Sequence, residues 1–97
     1  MKGKTKIISQ TLDIEKSISF LTEYGFQITE KDKEIIKLKK SGTIITISGE
    51  DMPKNLSIKY NKKSAEVTLE YDAFVLFDTG DLQEELQKIC NGLTEEQ

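Results

Sequence analysis

Between Phe26 and Tyr71, apolar side chains recur at every second position in successive runs. That period dictates β-strands with one buried face. Phe26 and Ile28 alternate with polar neighbours as far as a turn at Lys31-Asp32-Lys33. Segments 34–40 and 43–48 follow, separated by Ser41-Gly42, a two-residue hairpin signal. Closing that loop would pair Leu38 with Ile45 and Ile36 with Ile47, both on one face. Beyond a loop over 49–55 with the chain's single proline, Leu56, Ile58 and Tyr60 alternate with Ser57 and Lys59. Ala65, Val67, Leu69 and Tyr71 then alternate with Glu66, Thr68 and Glu70. The loop Asn61-Lys62-Lys63-Ser64 between them pairs Tyr60 with Ala65, Ile58 with Val67 and Leu56 with Leu69, and sets Lys59 opposite Glu66. A slip of one residue would turn every side chain to the wrong face, so two hairpins that keep one apolar face predict a meander sheet.

The period changes to that of a helix at both ends. Over 12–24, Ile14, Ile18 and Leu21 form a stripe broadened by Leu12, Phe20 and Tyr24, with Thr11 or Asp13 as N-cap. Gly25 stands where a left-handed residue ends a helix, and Phe26 would then touch Leu21. The last helix starts at Asp81, with Glu84 three residues on as a capping box, and carries Leu82, Leu86 and Ile89. Gly92 is read as its end and 93–97 as a frayed tail. Residues 73–77 are apolar on both faces and either extend the preceding strand through a bend at Asp72 or form a further buried strand. Residues 1–10 read as an extended arm or an edge strand. The fold expected is a single α+β domain over 1–97. It has two layers, an antiparallel meander of about five or six strands with both helices on one face.

Composition narrows the function classes. A single cysteine makes no internal disulfide, and the longest apolar run, Ala73 to Phe77, spans no membrane. A cytoplasmic chain is the expectation. All 14 basic residues are lysine, and without arginine the case for a nucleic-acid partner is weak. Histidine is absent, which removes imidazole catalysis. The glycines form no phosphate-binding motif, no cysteine or histidine cluster offers a metal site, and no cofactor is implied.

One short stretch carries a resemblance. Val75-Leu76-Phe77-Asp78-Thr79-Gly80 resembles the catalytic loop of aspartic proteases, which would make Asp78 an acid–base residue and require a homodimer to supply its mate. The 17 residues after Gly80 read mostly as one helix, where that family needs a flap hairpin and a second apolar-glycine motif. The simpler reading of Asp78-Thr79-Gly80-Asp81 is a turn plus N-cap ending a buried strand. A carboxylate hydrolase is therefore a remote alternative, and the chain is read as having no catalysis of its own.

Charge is divided unevenly along the chain. Residues 1–63 hold 13 lysines against 8 carboxylates, and residues 64–97 hold one lysine against 9 carboxylates. Strand parity sends Ile35, Lys37, Lys39, Ile44, Lys59, Glu66, Glu70, Phe74 and Leu76 to the face away from the helices. Glu84 and Glu85 add to an acidic end on the last helix. An apolar patch rimmed by charge is what a partner surface looks like. In size, acidity and lack of catalytic motifs the chain is similar to toxin-immunity proteins and phage-encoded inhibitors. A protein partner is thus expected, docked on these eleven residues. The alternative is a small acidic chaperone-like or ligand-binding dimer, as in type III secretion chaperones, although that family places a helix in mid-chain.

Overall fold

The computed structural model describes residues 3–42, 53–72 and 80–95. In chain order the elements are β1 (Lys4–Ile8), α1 (Ile14–Tyr24), β2 (Gln27–Lys31), β3 (Ile35–Lys40), β4 (Lys54–Tyr60), β5 (Ala65–Tyr71) and α2 (Asp81–Glu95). The five strands form one antiparallel sheet in the order β1-β5-β4-β3-β2. Both helices bury their apolar stripes in one cluster on the same side of it, giving the expected two-layer α+β fold. No helix among the described residues is long and apolar enough to cross a membrane.

α1 begins and ends as its sequence dictates. The Asp13 carboxylate accepts from the Lys16 amide at 3.1 Å, satisfying one of the donors a helix start leaves open. At the other end Gly25 has φ +117°, and the Gly25 and Phe26 amides donate back to Thr22 and Leu21 carbonyls. This is the Schellman closure, and it swings Phe26 into the core, where it is fully buried. Asp13→Ala removes the cap and is expected to cost about 1 kcal/mol in urea unfolding, with an unchanged denaturant slope.

The β4–β5 hairpin has the expected register, with Tyr60 on Ala65, Ile58 on Val67, Leu56 on Leu69 and Lys59 on Glu66. Residues 1–10 contain an edge strand, β1, which pairs with β5 and does not lie across the sheet. The hairpin expected across Ser41-Gly42 is corrected. β3 is bonded on one edge to β2 and on the other to β4, with Ile36 on Ile58 and Leu38 on Leu56. A strand has two edges, so none remains for the pairing of Leu38 with Ile45. Residues 43–48 lie outside the described residues, as do 73–77.

α2 differs from expectation at both ends. The Glu84 amide donates to the Gly80 carbonyl at 3.0 Å, which puts Gly80 rather than Asp81 at the cap position. The helix runs through Gly92 to Glu95, and Leu93, expected in a frayed tail, is fully buried. Gly92 serves a close approach instead of a stop: a Cβ there would fall within 2.7 Å of three carbons of the Phe20 ring on α1.

Candidate functional site

Strand alternation turns every second residue of the sheet away from the helices, and these residues meet in rows across the strands. The first row runs Ile7, Glu66, Lys59, Ile35 on β1, β5, β4 and β3. The second runs Thr5, Thr68, Ser57, Lys37 and, beyond a bulge in β2, Glu30. The third runs Glu70, Asn55, Lys39, Gln27 from β5 to β2. Lys37, Lys39, Lys59, Glu66 and Glu70 are exposed and Ile35 is half-buried. Beyond Glu30 on β2, the face therefore grades from Lys37 and Lys39 on β3, through Asn55, Ser57 and Lys59 on β4, to Glu66 and Glu70 on β5.

Polar contacts hold this face in order. Lys37 bridges to Glu30 at 3.3 Å, and Thr5 and Thr68 share a hydroxyl hydrogen bond of 2.9 Å. Lys39 reaches across β4 to Asp72 at 2.8 Å. The hydrogen bond and charge of Lys39, outweighing a small desolvation cost and helped by Asn55, hold the Asp72 carboxyl below its ordinary value. That contact is present at neutral pH and is lost as pH falls through the lowered value. Two shallow depressions mark the face. One of about 330 Å³ lies over Ser57, Thr68 and Asn55, and one of about 350 Å³ lies between Ile7, Ile35, Lys59 and Glu66.

Of the residues read from the sequence as partner-binding, the sheet thus gathers Ile35, Lys37, Lys39, Lys59, Glu66 and Glu70 on one surface. Ile44, Phe74 and Leu76 lie outside the described residues, and so does Asp78. Glu84 is exposed, but on the helix layer, so it does not belong to this face. Glu85, expected at the surface beside it, is buried at 7% exposure and points into the core. Sequence reasoning missed Ile7, which is 63% exposed and completes the first row. Its parity with Thr5 was legible, but 1–10 was read as either an extended arm or an edge strand, and only the strand puts Ile7 on this face.

The second omission is a buried charge cluster on the opposite side of the sheet. Lys54 has no exposed surface, and its ammonium donates to Glu85 Oε1 at 2.8 Å. The Lys40 ammonium lies 3.9 Å from Glu85 Oε2 and 4.8 Å above the Tyr24 ring, a cation–π contact. Two signals pointed to it. Lys54 shares the parity of Leu56 and Ile58, and Glu85 falls within the stripe of Leu82, Leu86 and Ile89. The cluster ties α2 to β4 by charge at one place, so its effect is on how the helix sits. Cys90, also buried, has its thiol pushed up by desolvation, with Lys6 partly opposing. A protonated, inaccessible thiol is a packing group.

Among the described residues, no group of three or more His, Cys, Asp and Glu side chains is placed to hold a metal ion. No protein-family model matches this chain, and no curated protein is similar to it in sequence, so the open face is interpreted from its own geometry.

Proposed function

We propose that this chain is a small, non-catalytic protein-binding module that acts by occupancy, in the manner of toxin-immunity proteins and phage-encoded inhibitors. The observation that carries the reading is a sheet face that no described element covers, with one sign of charge on each strand. Antiparallel sheets ordinarily keep one solvated face, with charges of both signs mixed on it. Here the lysines lie on β3 and β4 and the carboxylates of the adjoining strand on β5, which gives a partner both an orientation and a steering field. The serine and threonine between them leave room for close approach. A buried, protonated lone cysteine fits work in the reducing cytoplasm.

Ser57→Arg tests the reading, because it sets a long cation in the centre of the face without touching the core. In affinity capture from the native cell, wild type and Glu84→Lys should recover the same protein, while S57R loses it. Equal capture by S57R, or loss with E84K alone, contradicts the proposal. With the partner in hand, Glu66→Lys and Glu70→Lys are expected to slow association about tenfold at low salt and to flatten its salt dependence.

A further inference from the structure

The same face is complementary to itself under one symmetry operation, and we infer that its partner includes a second copy of this chain. The inference rests on the open face being a docking surface, as proposed above. Viewed face-on, the strands form columns in the order β1, β5, β4, β3, β2. Consider a two-fold axis lying in the face, parallel to the strands and midway between β4 and β5. It lays β4 of one copy over β5 of the other, and β3 over β1, with each row kept. In the first row Lys59 then meets Glu66 of the second copy, and Ile35 meets its Ile7. In the second row Ser57 meets Thr68, two small side chains at the point of closest approach.

The other simple arrangements fail on charge. An axis along β4 itself puts Lys59 over Lys59. An axis across the strands puts the carboxylates of β5 over one another, since Glu66 and Glu70 exchange places. Of these, the axis between β4 and β5 joins opposite charges without setting like charges over one another, and it covers the exposed Ile7 in the same step. Faces of this kind pack with their strands about 30° apart, a rotation that side chains as long as lysine and glutamate span. Because the operation is its own inverse, it closes at two copies and builds no filament.

The overlap is small. Four columns at about 4.8 Å and five residues at about 3.3 Å give roughly 19 by 17 Å, well short of a standard stable interface. The association is therefore reversible, and another protein that fits the face competes with it. Dimers should appear over about 10 µM to about 1 mM.

Sedimentation of the full chain over that range tests the inference. Wild type should pass from monomer to dimer as concentration rises. Lys59→Glu and Glu66→Lys alone should each weaken the dimer about tenfold or more, since each places like charges across the axis. Mixing the two variants should restore association, because each heterodimer regains both opposite-charge pairs. The double variant K59E/E66K should dimerise like wild type, which keeps the test open if one single variant folds poorly. A monomer throughout, a dimer indifferent to the single reversals, or a mixture that stays monomeric overturns the self-pairing. Each of those results leaves capture of another protein, and its loss in S57R, as a separate question about the face.

Discussion

Glu85→Leu is expected to lower the unfolding free energy by about 3–5 kcal/mol, a large part of what a domain of this size possesses. The reason is the group left behind: the fully buried Lys54 ammonium loses the carboxylate 2.8 Å away, and leucine returns no charge to it. Lys40 suffers less, being half-exposed and still seated over the Tyr24 ring. Removing both charges as K54M/E85L should recover most of the loss, because a buried pair repays little beyond its own desolvation. Urea unfolding of the four proteins gives the coupling directly. A double variant as unstable as E85L would mean that packing around Glu85, and not its charge, is what matters there.

Gly92→Ala should destabilise the fold by about 1–3 kcal/mol, although glycine to alanine inside a helix is ordinarily favourable by up to about 1 kcal/mol. The added methyl would enter the space of the Phe20 ring and force α1 and α2 apart. Phe20→Leu in the same chain should return part of that loss, since it opens the space the methyl needs. If thermal unfolding instead shows G92A more stable than wild type, the close helix contact is absent in solution.

Both of these sites were misread from sequence, whereas other parts of the fold were plain in it. The β4–β5 register was legible because alternation and loop length agree: a one-residue slip would turn Val67 away from Ile58, and the four-residue loop selects among the rest. α1 was legible because its cap and its glycine act within one turn. Segment 43–48 misled because its aliphatics have the same period as those of β4, and Ser41-Gly42 supplies a local turn signal. The choice between two such partners is made by the whole sheet, in which β3 takes β2 and β4. Gly92 misled for a related reason: a glycine near a helix end is the same in sequence whether it stops the helix or admits a ring from another one.

The candidate site divides in the same way. Parity alone placed Ile35, Lys37, Lys39, Lys59, Glu66 and Glu70 on one face, because each lies within a regular strand. Glu85 was misplaced because its charge was weighed above its helical position. An inward Lys54 and an inward Glu85 explain each other, and neither makes sense alone. The division of charge along the chain thus has two outcomes in space. Part becomes a gradient across the open sheet, and part is sealed into the core.

The central claim, that the open face is where this chain meets protein, is tested most directly by amide NMR spectra of the full chain titrated with a protein it captures. Changes are expected at Thr5, Ile7, Ile35, Ser57, Lys59, Glu66 and Thr68, with Gln83, Glu84 and Lys88 on the outer side of α2 left in place. Changes confined to those three helix residues, with the sheet face undisturbed, would contradict it.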